Sequence, residues 1–245
     1  MTRIEVVAEI GVNFNGSMLI AHNLIDICKQ YGADVAKFQL YDVDRLFPDK
    51  QIMSQGQNWY NEVKQTQLSY IMVKSLYNHC ERIGIEFMAS VFDTERIEWC
   101  EDLRVKRYKI ASRSIHDKEL ISALCKTGKP LIVSLGMWED YPESVPVINA
   151  KQVDFLHCVS KYPTPLDETH IDEIDFDKIT GYSDHTIGIS ACLVAASLGA
   201  NVIEKHVTFN RRAAGPDHIL SADPRMLKHM ILQIRNIEVI RGDRW

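Results

Sequence analysis

Short β-branched runs recur along this chain, and nearly every one ends on a polar residue before a helical stretch begins. The first is Ile4-Glu-Val-Val-Ala-Glu-Ile-Gly11, followed by the loop Asn13-Phe-Asn-Gly16 and a helical pattern over 18–31. The second, Asp34–Leu40, leads into an irregular insertion that runs to about 65 and contains Pro48 and the polar Ser54–Asn58; stretches this long in a compact domain are usually functional. A helix over 67–82 is closed by Gly84. The third run, Glu86–Val91, precedes a helix from Asp93, and the fourth, Arg107–Ser112, precedes one over 117–127. After the fifth, Pro130–Gly136, Pro142 and Pro146 interrupt any helix. The sixth, Val153–Cys158, opens into Ser160–Pro165. The seventh, Ile179–Asp184, is followed by a helix over 187–199. The eighth, Asn201–Val207, is followed after a polar loop by a last amphipathic helix from Asp223-Pro224 to about 240.

Eight strand–helix alternations in 245 residues predict an α/β chain folded as a single closed (β/α)8 TIM barrel over 1–245. The competing open doubly wound sheet usually carries Gly-x-Gly-x-x-Gly after its first strand, and no such motif occurs. The composition, 46% hydrophobic, supplies a large core, and the net charge of −5 argues against nucleic acid or an acidic membrane as partner. No apolar run is long enough to span a bilayer. The start, Met1-Thr-Arg-Ile-Glu-Val-Val-Ala, lacks the order of a signal peptide, so a cytoplasmic protein is expected. Cys28, Cys80, Cys100, Cys125, Cys158 and Cys192 form no Cys-x-x-Cys pair and read as small hydrophobes in a reducing compartment.

In such a barrel the chemistry lies at the C-terminal ends of the strands. Those ends carry Glu9, Lys37 with Gln39, Ser90, Lys109 with Ser112, Ser134, Ser160 with Tyr162, Ser183 with His185, and Glu204 with His206. Strand residues alternate faces, so Lys37 and Gln39 share one side, as do Glu204 and His206. Lysines set inside apolar runs have three readings: ion pairs with Glu9 and Glu204, a Schiff-base amine, or an anion site. The number of strand-end serines favours the anion site. His185 and His206 at adjacent strand ends suit a divalent metal, with Asp184 and Glu204 near enough in sequence to complete or tune it. Imidazole with oxygen ligands leaves manganese, zinc, iron or cobalt open. His157 reads as structural, Tyr162-Pro-Thr-Pro165 as a rigid loop, and Arg211-Arg212 as a solvated one.

Nine stretches, in order, resemble the sialic acid synthases and their nonulosonic acid relatives. They are Ala8–Asn13 with Asn15-Gly16, Gly32–Gln39, Phe87–Asp93, Tyr108–Ser112, Gly128–Ser134, His157–Pro165, Gly181–Gly188, Ile203–His206 and Gly215–His218. The resemblance implies metal-dependent condensation of phosphoenolpyruvate with an open-chain N-acyl amino sugar, giving a sialic acid-type 2-keto-3-deoxy sugar acid and phosphate. It implies that Lys37, Lys109, Ser90, Ser112, Ser134, Ser160 and Ser183 hold phosphoenolpyruvate. His185 and His206 would bind manganese, or magnesium or cobalt in its place. Glu9 would position water or support the metal, Asp217 would contact sugar hydroxyls, Tyr162 and Gln39 would line the pocket, and the barrels would pair as a homodimer. The alternatives are a related synthase with another aldehyde acceptor, or a barrel that binds these ligands without turning them over.

Three departures stand out. Ser112-Arg-Ser114 replaces the family's Ser-Gly-Glu, which removes a carboxylate and adds a cation. Phe14 replaces a histidine and Leu135 a threonine, changes expected to make the pocket less polar. The resemblance covers the barrel alone, without the family's small antifreeze-like domain that caps the sugar site, which leaves room for a cap on another chain.

Overall fold

A computed structural model describes residues 3–140, 142–147 and 150–242. Eight parallel strands close into a barrel. They are β1 (Glu5–Gly11), β2 (Val35–Leu40), β3 (Glu86–Val91), β4 (Tyr108–Ile110), β5 (Leu131–Ser134), β6 (Val153–His157), β7 (Gly181–Asp184) and β8 (Val202–His206). β8 pairs with β1, which completes the ring. Around it lie helices α1 (Met18–Tyr31), α2 (Tyr70–Ile83), α3 (Thr94–Asp102), α4 (Lys118–Lys126), α5 (Ser190–Leu198) and α6 (Pro224–Ile240). Ser17, Ser69, Asp93, Asp117 and Asp223 each cap a helix start with a side-chain oxygen. Gly32 and Gly84 close α1 and α2 in the left-handed conformation that glycine adopts without strain.

The predicted run 107–112 is shorter as a strand, because Ser112–Ser114 already turn as a single 3₁₀ turn. After β5 the expected break at Pro142 is present as a 3₁₀ turn, Pro142–Ser144. Its neighbours Tyr141, Ile148 and Asn149 lie outside the described residues, as do Met1, Thr2 and residues 243–245. Two further 3₁₀ turns, Leu166–Glu168 and Ile171–Glu173, stand where a helix would follow β6.

Alternation along the strands stacks the barrel interior in layers, as this fold requires. At the N-terminal end Arg107 bridges Glu5 and Glu86, each at 2.8 Å. Above it Val7, Val35, Met88, Ile132, Leu156 and Val202 form an apolar plug. Two residues further along the strands come Glu9, Lys37, Ser90, Lys109, Ser134, Ser183 and Glu204, all buried. The opposite faces pack Phe38, Phe87, Tyr108, Tyr182 and Ile203 against the helices. Phe14 joins this outer core, 1% exposed and edge-on to Phe38, so its replacement of a histidine does not alter the pocket. Leu135 likewise packs against that core.

Candidate active site

The upper layer of the barrel is an ionic cluster built by four strands. Lys37 Nζ lies 2.9 Å from Glu9 Oε2 and 3.5 Å from Glu204 Oε2, and donates to Ser90 Oγ at 3.1 Å. Lys109 Nζ meets Glu204 Oε1 at 3.1 Å, and Ser183 donates to the same oxygen at 2.9 Å. Gln39 donates to Glu9 Oε1 at 2.8 Å. The ion-pair reading of the two lysines therefore describes their resting partners. Burial pushes the Glu204 carboxyl up, but Lys109 and Lys37 outweigh it and hold its pKa at about 2. Burial pulls the Lys37 ammonium down, and Glu204 and Glu9 reverse that to raise it. Lys109, with burial dominant, sits below the usual lysine range. An ammonium has three donors. Lys37 bonds to Ser90 and lies within ion-pair distance of two carboxylate oxygens, whereas Lys109 has one partner among the described residues and donors to spare.

At the mouth the two histidines come together, with ring centroids 5.7 Å apart. His185 Nδ1 bonds to the Val159 carbonyl at 2.8 Å, so that nitrogen carries the proton and Nε2 keeps a free lone pair. His206 Nδ1 is buried without a hydrogen-bond partner, 3.7 Å from Asp217 Oδ2. Burial holds His185 down to about 4, and His206 well below the ordinary imidazole range. Both are neutral, as metal ligands must be. Two neutral imidazoles with available nitrogens fit a divalent ion. No group of three or more His, Cys, Asp or Glu among the described residues adds a third ligand, so oxygens from substrate or water would complete the set. Tyr162 stacks obliquely on His185, centroids 4.2 Å apart, and Ser112 Oγ meets Ser160 Oγ at 2.8 Å. Burial raises the Asp217 carboxyl to about 7.

The irregular insertion covers this mouth. Two short helices, Val43–Leu46 and Tyr60–Lys64, pack on Val12 and Tyr41 through Val43, Trp59, Tyr60 and Val63. Between them Met53–Ser54 pairs with Gln57–Asn58 through a two-residue turn, with Gln55 and Gly56 both at positive φ. From that turn Gln55 donates to the Pro216 carbonyl at 2.9 Å, and Ser54 to the Tyr162 carbonyl at 3.3 Å. The cavity beneath the insertion is about 680 Å³, and its lining includes His206, Asp217, Gln39, Phe47, Arg113 and Met137. That volume suits small-molecule ligands.

The structure thus brings Glu9, Lys37, Gln39, Ser90, Lys109, Ser183 and Glu204 into one cluster, with Ser134 beside them, and sets Ser112, Ser160, Tyr162, His185, His206 and Asp217 above it. Asp184 is the correction. It faces outward and pairs with Lys205 at 2.7 Å, so it does not complete the histidine site. Glu204 is occupied by the two lysines. His157 bonds to the Thr169 carbonyl at 3.1 Å, as a structural histidine. All six cysteines are free and buried. Arg211 donates to the Ile219 carbonyl and so braces its loop. Sequence reasoning missed the insertion's contribution of Phe47, Gln51, Ile52 and Met53 to the cavity wall; the signal available was Gln55-Gly56, a hairpin turn pair.

Among the described residues no helix is long and apolar enough to cross a membrane. Residues 24–245 match the NeuB family. An uncharacterized protein of Methanocaldococcus jannaschii is 36% identical, over 97% of this chain and 72% of its own length. The N,N'-diacetyllegionaminic acid synthase of Campylobacter jejuni is 32% identical over 99% of this chain and 79% of its own. The crystal structure of an N-acetylneuraminic acid synthetase from Leptospira borgpetersenii, in complex with citrate, superposes with a TM-score of 0.88 at 27% identity, covering 100% of this chain and 87% of that one. Fold, layer order and sequence agree: this chain belongs to the NeuB family of phosphoenolpyruvate-dependent condensing synthases.

Proposed function

We propose that this chain condenses phosphoenolpyruvate with an open-chain N-acyl amino sugar of the N-acetylmannosamine type, forming a sialic acid-like 2-keto-3-deoxy sugar acid and inorganic phosphate. The observation that carries this reading is that four of the seven buried side-chain atoms without hydrogen-bond partners among the described residues belong to this site: Glu9 Oε2, Ser134 Oγ, Glu204 Oε2 and His206 Nδ1. Buried polar atoms in a native fold are nearly always paired, so unpaired ones gathered at and beneath a cavity call for a ligand.

Lys109, with donors to spare, is the principal anion contact, and Ser134, Ser112 and Ser160 add hydroxyl donors around it. Lys37 and Ser183 orient the ring of carboxylates, and Lys37 with Ser90 lends further positive and donor character to the floor. A divalent ion on His185 and His206, manganese by preference, supplies Lewis-acid polarisation of the aldehyde oxygen when bound. In the reaction the enol carbon of phosphoenolpyruvate bonds to the aldehyde carbon. Water then adds at C2, and the C–O bond to phosphorus-bearing oxygen breaks to release phosphate and leave a ketone. Glu9, fixed between Lys37 and Gln39, is placed to orient that water and take its proton. Asp217 and Tyr162 flank the acceptor, and the insertion excludes bulk water. By the same reading the working form is a homodimer.

Calorimetric titration of phosphoenolpyruvate into the manganese-loaded protein tests the proposal, repeated on Lys109→Ala. Micromolar binding that the variant loses by 100-fold or more, on the order expected for a buried charge-assisted contact, supports it. No binding to the parent chain would sink it.

A further inference from the structure

Arg113 is the one lysine or arginine among the described residues that line the cavity. Its turn is braced by Ser114 N–H on the Ala111 carbonyl at 2.9 Å, and by the Ser112–Ser160 hydroxyl contact next to it. The guanidinium lies over the Phe47 ring of the insertion, 4.3 Å from the centroid. That contact strips water from one face of the cation and holds it in place while leaving the edge N–H donors open. Among the described residues no carboxylate pairs with it. The apolar part of the cavity lining includes Phe47, Leu46, Ile52, Met53 and Met137.

The contrast with the cluster below is one of charge balance. Lys37 and Lys109 are matched by Glu9 and Glu204. Arg113 lines the same cavity as His206 and Asp217 and has no carboxylate partner among the described residues. Phosphoenolpyruvate has its own cation in Lys109, with Ser134 below and Ser112 and Ser160 at the mouth. What remains for Arg113 is the far end of the other substrate.

We infer that Arg113 recognises an oxyanion, a phosphate or a carboxylate, carried by the acceptor sugar away from its aldehyde. The inference rests on the synthase reading above and narrows its acceptor from a neutral to an anionic N-acyl amino sugar. A planar fork of donors on a fixed ring is suited to bidentate capture of either group.

The test compares N-acetylmannosamine, its 6-phosphate and the corresponding uronic acid. Each is used as the aldehyde in phosphate-release kinetics and, after borohydride reduction to the unreactive alditol, as a ligand in calorimetry on the manganese-loaded protein. The parent chain should prefer at least one anionic form over the neutral one by roughly 10- to 100-fold, the range for a charge-assisted contact. The stronger of the phosphate and the uronate names the group. Arg113→Gln should erase that difference, and Arg113→Lys should restore part of it. Equal binding of neutral and anionic alditols to the parent chain overturns the inference. So does a Gln variant that weakens phosphoenolpyruvate instead, which would assign Arg113 to that substrate. Because the alditols cannot react, they report on Arg113 even where no aldehyde turns over; absence of phosphate release with every aldehyde counts against the synthase reading alone.

Discussion

Lys205 and Asp184 form a fully buried ion pair, 2.7 Å apart, on the outer face of the barrel directly behind the two histidines. Lys205 also donates to the Thr186 carbonyl at 2.6 Å, while Asp184 accepts from the Thr186 N–H at 2.9 Å and from the Cys192 thiol at 3.2 Å. Each member is one residue from a histidine of the site, so the pair ties β8 to the end of β7 where the imidazoles must hold their spacing. Breaking such a pair from one side leaves a buried charge without its partner. Lys205→Met is expected to lose about 3–5 kcal/mol of stability and to weaken manganese binding. Denaturant unfolding and manganese calorimetry on the same preparation read both effects. Lys205→Met combined with Asp184→Leu should recover part of the stability and none of the manganese affinity if the pair positions the histidines. Full recovery of both would reduce it to a structural contact.

The histidine pair itself predicts metal-linked stability. A ligand present at 100 times its Kd raises unfolding free energy by about 2.7 kcal/mol, so manganese should raise the melting temperature of chelator-treated protein. His206→Gln and His185→Gln should each abolish the rise. A rise that survives both substitutions would place the ion elsewhere.

Acid should destabilise the fold through His218. Its Nδ1 meets Thr208 Oγ1 and its Nε2 meets Asn15 Oδ1, both at 2.7 Å, and burial holds it down to about 4. The unfolded chain takes up a proton near pH 6.5, the folded one only near 4. Stability is therefore fully present above pH 6.5 and drains as pH falls from 6.5 to 4, by about 3 kcal/mol from this group. Urea unfolding across that window, compared with His218→Asn, should show a shallower slope in the variant. Equal slopes would remove His218 as the cause.

Two glycines are fixed by close neighbours, one within the sheet and one beside the site. A Cβ on Gly181 would sit 2.1 Å from the Val202 carbonyl oxygen, backbone that cannot move without parting β7 from β8. Gly181→Ala is expected to cost several kcal/mol, at the upper end for overpacking, about 3, with a loss of soluble yield. On Gly136 a Cβ would meet Ser160 Oγ at 2.6 Å, the Cys158 sulfur at 2.7 Å and the Cys158 carbonyl oxygen at 2.8 Å. Gly136→Ala should displace Ser160 and raise the Kd for phosphoenolpyruvate as well as lower the melting temperature, and Ser160→Ala should raise the Kd alone. If phosphoenolpyruvate affinity is untouched, Ser160 is not one of its contacts.

Much of this architecture was readable from the order of residues. A period of two is set by the covalent geometry of each strand, so it travels with the local sequence. That is why Lys37 with Gln39, and Glu204 with His206, could be assigned to one interior face before any strand was placed. The same parity places Asp184 and Lys205 outside, which the reading of Asp184 as a partner of the histidines overlooked. Counting from His206 excludes Lys205 from the interior, and that count was the signal for a buried outer ion pair. The eight runs also specified the barrel, since each demands a sheet neighbour and a covering helix.

Pairing across the barrel followed a different logic. Lys109 and Glu204 are 95 residues apart, and they meet only because the ring closes and sets the vertical register of β4 against β8. No local pattern encodes that stagger, so whether the lysines would face an anion site or face carboxylates depended on the closed structure. Phe14 went to the outer core for the same kind of reason: its loop folds back over β2, and an aromatic ring loses less there than at a wet rim. The insertion became a cover through contacts from Gln55 and Ser54 to loops more than 100 residues away. Local alternation decides which face a side chain takes; only closure of the chain on itself decides which side chain it meets there.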